Sequence, residues 1–123
     1  MLKSVDEAPL ELAVSIREFW SPSEWDNAAS IAFLESAWNT FAVDDTRDGA
    51  HPCGAELAVI DGTVTTAELS VGYFQINACN FPTWEWQRFY NARHNAGTAH
   101  LLFDRAGGNW SPWFFSALEL GLL

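Results

Sequence analysis

Two short stretches carry side chains able to do chemistry: AFLESAWN, residues 32–39, and SVGYFQIN, residues 70–77. In the first, Glu35 follows Phe33 and Leu34 and precedes Ala37 and Trp38, all residues that belong near a core. A carboxyl screened from water by such neighbours keeps its proton to higher pH, which is what a general acid at neutral pH requires. On its own, however, the segment reads as a surface glutamate in a helix's last turn, paired with an arginine. In the second stretch, strand alternation puts Ser70, Gly72, Phe74 and Ile76 on one face and Val71, Tyr73, Gln75 and Asn77 on the other. Tyr73, Gln75 and Asn77 then form a polar-aromatic row that offers donors and acceptors to a ligand lying along it, and Gly72 lets that ligand come close. Taken alone, the row is just as well the solvated face of an edge strand.

The elements that must position these groups follow from the pattern around them. Residues 8–19 repeat apolar positions at helical period, giving a first helix. Ser21, Pro22 and Glu24 read as an N-cap, a first-turn proline and the far end of a capping box, so a second helix starts there and carries Glu35 and Ser36 in its last turns. Residues 39–54 are rich in Asp, Gly, Thr and Pro, a loop by composition. The run AELAVIDGTVTTAEL that follows is a hairpin turning at Asp61-Gly62, the strongest short hairpin signal, and its second arm leads into residues 70–77. Helical pattern returns after Asn80, breaks at Gly107-Gly108 and closes with SPWFFSALELGLL. The expected architecture is one α+β domain over residues 1–123, mainly helical, with a small β hairpin as one wall of a cleft.

Composition bounds what the cleft can take. The net charge of −10, from 16 acidic and 6 basic residues, leaves no basic field for phosphates, so nucleic acid is not an expected partner, and an anionic polymer would be repelled at long range. No segment approaches a membrane span and the start of the chain lacks a secretory signal, so no membrane partner is expected. Seven tryptophans exceed what a small core needs, and the surplus points to an aromatic-lined groove or contact surface. His51, His94 and His100 are scattered without metal-ligand spacing, so no metal or cofactor is expected. Cys53 and Cys79 flank the hairpin, and the sequence leaves open whether they form a bridge or two buried thiols.

Together the motifs resemble a known family. Glu35-Ser36-Ala37-Trp38-Asn39, then Ser70 to Asn77, then NARHNAGTAHLLF followed by GGNWSPW, are similar to the lysozyme-like superfamily over residues 25–115. The closest likeness is to soluble lytic transglycosylases and the related lysozyme-like domains of bacteriophages and actinobacteria. The resemblance implies a lysozyme-like fold that cuts the β-1,4 bond between N-acetylmuramic acid and N-acetylglucosamine in peptidoglycan. Glu35 matches the catalytic glutamate; Gln75, Asn77 and the backbone around Tyr73 match the groups that grip N-acetyl sugars. Asn95 matches a helix position that holds the sugar or the glutamate, with a helix-surface amide as its ordinary reading. Trp110 and Trp113 either stack on sugar faces or close the core at the last helix, at least one of them in the core, and Trp38 is a candidate for the cleft. Ser70 departs from the animal-type lysozymes, which carry their second carboxylate in this motif. The expectation is therefore single-glutamate catalysis, in which Glu35 acts as acid and then as base on the muramyl C6 hydroxyl. The alternatives are an inverting muramidase using Asp44, Asp45, Asp48 or Glu68, and a module that grips glycan or builds a phage tail without cutting. Lacking a signal, such a domain would reach the wall as a virion component or an endolysin, or as a fragment of a larger secreted protein.

Overall fold

The computed structural model describes residues 2–123 as an α+β, mainly helical chain. Four α-helices, α1 (Leu10–Phe19), α2 (Trp25–Ser36), α3 (Ala92–Arg105) and α4 (Phe114–Leu120), surround two small antiparallel sheets. Short 3₁₀ turns lead into or link them, the longest over Thr83–Tyr90. One sheet has the order β1 (Val43–Asp45), β4 (Leu69–Val71), β5 (Ile76–Asn77); the other is the hairpin of β2 (Glu56–Ile60) and β3 (Thr63–Thr66).

One buried cluster joins all four helices to the three-stranded sheet. Leu12, Ile16 and Trp20 from α1 and its end meet Ala28, Ala29 and Ile31 of α2, Ala96, Ala99 and Phe103 of α3, and Ala117 of α4. The alanines let the helices approach closely, and aromatic rings fill what remains: Trp20 stacks on Trp110 at 5.6 Å, and Trp110 tilts against Trp113 at 5.6 Å. Most of the indoles are thus at least partly taken up by packing, although Trp84 stays 69% exposed. Trp110 is buried, with its Nε1 donating to Glu24 Oε2 at 2.9 Å, and so lies outside any ligand-accessible surface. That bond also explains why the expected capping box is missing at Ser21: Glu24 accepts from Trp110 and Asn27, while the Ser21 hydroxyl meets Ser23. A capping box does form elsewhere, between Ser4 and Glu7.

Two features of the β region depart from the sequence pattern. Residues 43–45, inside the stretch read as loop, form β1 and pair with β4, Asp44 opposite Ser70. Residues 70–77 are not one strand: β4 ends at Val71, the chain turns through Gly72, Tyr73, Phe74 and Gln75, and β5 returns with Asn77 opposite Ser70. Gly72 (φ 78°) and Gln75 (φ 49°) both take left-handed backbone to make this turn, closed by Gln75 N–H donating to Gly72 O at 3.1 Å. This hairpin, rather than the Asp61-Gly62 one, packs on the helices. The Asp61-Gly62 turn is present, with φ positive at both residues as a type I′ turn demands, but every residue of β2 and β3 is exposed. At its base, Ala67 N–H donates to Ala55 O at 2.7 Å, and a Cys53–Cys79 disulfide ties the neighbouring turn to the residues after β5.

Candidate active site

Glu35 stands near the C-terminal end of α2, where the helix stops abruptly. Ala37 (φ 51°) and Trp38 (φ 59°) are both left-handed, a conformation costing about 1–2 kcal/mol for each non-glycine residue. The cost is offset by the bonds that hold the exit: Ala37 N–H to Phe33 O at 2.8 Å, Ser36 Oγ–H to Ala32 O at 2.8 Å, and the Trp38 indole N–H to Ala29 O at 3.0 Å. Trp38 thereby packs on Phe33 and on its own helix, and does not line the cleft.

A cleft of about 580 Å³ opens beside Glu35, lined also by Glu68, Ser70, Gln75, Asn77, Arg105 and the rings of Phe81, Trp113, Phe114 and Phe115. Thus α2 supplies the carboxyl, the β4–β5 hairpin supplies the polar wall, and the ends of α3 and α4 supply the opposite side. Glu35 is half-buried, and loss of hydration pushes its pKa up; the negative Glu68 pushes the same way, while the Ser116 hydroxyl opposes them by donating to Oε2. Its place in the last turn of α2, at the negative end of the helix dipole, also disfavours the carboxylate. With Oε2 held by Ser116, Oε1 is left without a protein hydrogen-bond partner among the described residues.

The polar wall presents a donor and an acceptor. Gln75 commits its Nε2 to Ala42 O and Gly72 O, each at 3.0 Å, and its Oε1 is left without a protein partner among the described residues. Asn77 commits its Oδ1 to Cys79 N–H, capping the 3₁₀ turn Ala78–Asn80, and keeps its Nδ2. Two exposed rings, Phe114 (51% exposed) and Phe115 (84%), border the same cleft.

Three residues expected in the site are elsewhere, each for a physical reason. The turn at residues 72–75 swings Tyr73 away from the cleft into the core against α1, where its hydroxyl donates to Glu11 Oε1 at 2.6 Å, and desolvation pushes its pKa up. Tyr73→Phe should consequently leave any activity within about twofold and lower unfolding stability by about 1 kcal/mol, read by urea denaturation; a large fall in activity at full stability would return Tyr73 to the site. Asn95 is fully buried on α3 and fastens the turn: its Oδ1 accepts from Phe74 N–H, and its Nδ2 donates to Val71 O and Phe89 O, all at 2.9 Å. Trp110 is the core indole already described.

Of the candidate second carboxylates, Glu68 alone lines the cleft. Asp45 is clamped by Arg47, whose hydrogen bonds pull it down to about 2, and Asp48 bonds His51. Glu68 is fixed through its backbone, with Thr46 bonded to both its N–H and its C=O. Ser116 is the residue that sequence reasoning missed altogether; a serine among the apolar positions of a short helix signals nothing until α4 is docked beside α2. A more open concavity of about 610 Å³ lies along α3 at Phe19, Arg88, Arg93 and His94, but no carboxyl lines it. Among the described residues, no three His, Cys, Asp or Glu side chains gather as a metal would need. No helix among the described residues is long and apolar enough to cross a membrane. Comparison of the chain with protein-family models, with curated proteins and with solved structures gives no match.

Proposed function

We propose that this chain is a lysozyme-like, peptidoglycan-cleaving glycosidase in which Glu35 protonates the glycosidic oxygen between N-acetylmuramic acid and N-acetylglucosamine. The observation that carries the reading is a half-buried carboxyl with a raised pKa in the same cleft as Ser70, Gln75 and Asn77. A proton held on Oε1 reaches the leaving oxygen as the C1–O bond breaks, and the sugar ring carries the resulting positive charge. The Gln75 carbonyl oxygen and the Asn77 amide match the N–H and C=O of an acetamido group, the feature that separates N-acetyl sugars from plain hexoses. Phe114 and Phe115 offer flat apolar faces to sugar rings. The disulfide supports a working place outside the reducing cytosol, in keeping with a wall substrate.

After C1–O cleavage two routes complete the reaction. In the first, the Glu35 carboxylate takes the proton of the muramyl C6 hydroxyl and O6 bonds C1, giving a 1,6-anhydro end: a lytic transglycosylase. In the second, a carboxylate takes a proton from water, which bonds C1 from the opposite face: an inverting muramidase. The presence of Glu68 in the cleft favours the second route specifically, and replaces the Asp44, Asp45 and Asp48 loop as the source of its base. Mass spectrometry of soluble fragments from purified peptidoglycan tests both: anhydromuramyl ends mark the first, reducing ends the second. Binding to the wall without fragments would overturn the enzyme reading in favour of a glycan-gripping or tail module.

Glu68→Gln separates the routes again. If Glu68 is the base, turnover falls by about 10²-fold or more. If Glu35 works alone, turnover at its optimum stays within a few-fold. In that case the limb along which activity falls with rising pH moves to lower pH, because the charge that helped raise Glu35's pKa is gone.

A further inference from the structure

Arg105, the last residue of α3, stands out by having no partner. The chain carries five arginines against 16 acidic residues. Arg47, Arg88 and Arg93 stand 2.9, 3.9 and 2.8 Å from carboxylate oxygens of Asp45, Glu85 and Glu18, and Arg17 is bonded to Asp6. Among the described residues, Arg105 is the one guanidinium without a carboxylate, and it opens on the cleft that holds Glu35.

We propose that Arg105 is the carboxylate anchor of this cleft, binding an acidic group borne by the glycan strand, the lactyl or peptide-stem carboxylate of a muramyl residue. The inference rests on the glycosidase reading of the cleft and adds to it a basis for choosing charged strands over neutral β-1,4 glycans. A net charge of −10 repels an anionic polymer, but salt screens that field beyond about 8 Å, so a cation inside the cleft decides the interaction at contact. A guanidinium presents a planar fork that matches a carboxylate with two parallel hydrogen bonds, and its exposure leaves it free to do so. Glu68 lines the same cleft and repels a substrate carboxylate, which Arg105 at the end of α3 attracts. A neutral glycan gains the rings and the hairpin wall and nothing from Arg105.

The test compares wild type, Arg105→Gln and Arg105→Lys on two substrates: purified sacculi, and the same sacculi with free carboxyls converted to methylamides by carbodiimide and methylamine. Co-sedimentation gives affinity and fragment release gives kcat and KM. On native sacculi, Arg105→Gln is expected to weaken affinity and raise KM about tenfold with kcat within twofold, and Arg105→Lys to recover most of the loss. On methylamidated sacculi the three proteins should be equal, each weaker than wild type on the native wall. Equal binding of Arg105→Gln and wild type to native sacculi, or the same loss on both substrates, overturns the proposal. Carboxylate-dependent binding through Arg105 with no fragments from wild type would overturn the glycosidase reading and leave the anchor. Fragments with no effect of Arg105→Gln would do the reverse, and a wild type that ignores the wall would overturn both.

Discussion

Glu35→Gln is expected to end fragment release from purified peptidoglycan while leaving the protein folded and, at neutral pH, more stable than its parent. Loss of a general acid typically costs 10²–10⁴ in rate, and on the transglycosylase route, where the same residue also serves as base, the upper part of that range applies. Glutamine keeps the shape of the carboxyl and can still accept from Ser116 Oγ–H, so the packing of α4 on α2 is retained. The gain in stability follows from linkage. Burial raises the pKa of Glu35, so the folded state holds the proton more tightly than the unfolded one. Wild-type stability therefore falls as pH rises from the ordinary carboxylate range through that raised value, and the uncharged glutamine does not share the fall. Thermal melts at pH 7 should place Glu35→Gln above wild type, with the gap closing near pH 4; wild-type activity should decline over the same rising-pH interval. A mutant that is inactive and less stable at pH 7 would mean that Glu35 is structural.

Asn95 carries the second large effect, on folding rather than on chemistry. Removing its amide in Asn95→Ala leaves Phe74 N–H without its partner and takes a donor from Val71 O and Phe89 O in a fully buried place, at a cost of about 3 kcal/mol or more. Asn95→Asp is the sharper experiment because it changes almost no volume. Its first oxygen can still accept from Phe74 N–H, but the second turns an acceptor toward two carbonyl oxygens and buries a charge. Protonated, that oxygen donates to one of them, so folding holds this pKa above the unfolded value, and Asn95→Asp should regain stability as pH falls from 7 toward 4. Urea unfolding at the two pH values checks it. Equal stability at both, close to wild type, would show that the amide does not clamp the turn. Gly72 stands against the same amide: a Cβ there would lie 2.4 Å from Asn95 Nδ2 and 2.4 Å from Phe89 O, which is why the turn tolerates no side chain at that position.

What the sequence announces and what it conceals divide along one line. Local backbone chemistry is legible: Asp61-Gly62 specifies its turn whatever surrounds it, and the apolar spacing of residues 8–19 yields α1. What depends on a distant partner is not. Val43 to Asp45 carries two aspartates and reads as loop, and becomes a strand because β4 supplies its hydrogen bonds. SVGYFQIN alternates like a strand, yet Gly72 and Gln75 can take left-handed backbone, and Asn95, some twenty residues on, selects the turn that does so. Hence Gln75 and Asn77 line the cleft while Tyr73 points into the core against α1. The pairing of Glu35 with Ser116 and its approach to Glu68 exist only once α2, α4 and the residues before β4 have been brought together.

The β2–β3 hairpin has a consequence for how this chain can be rebuilt. Its residues contribute nothing to the buried cluster, and the chain on either side is already closed by the bond between Ala55 and Ala67 and, just before it, by the Cys53–Cys79 bridge. Because lengthening a closed loop costs only about 0.6 kcal/mol per doubling, this seam is a splice point. Residues between Ala55 and Ala67 can be exchanged for a longer insert or a shorter tie, and a cargo grafted there would ride on the protein without passing through the cleft.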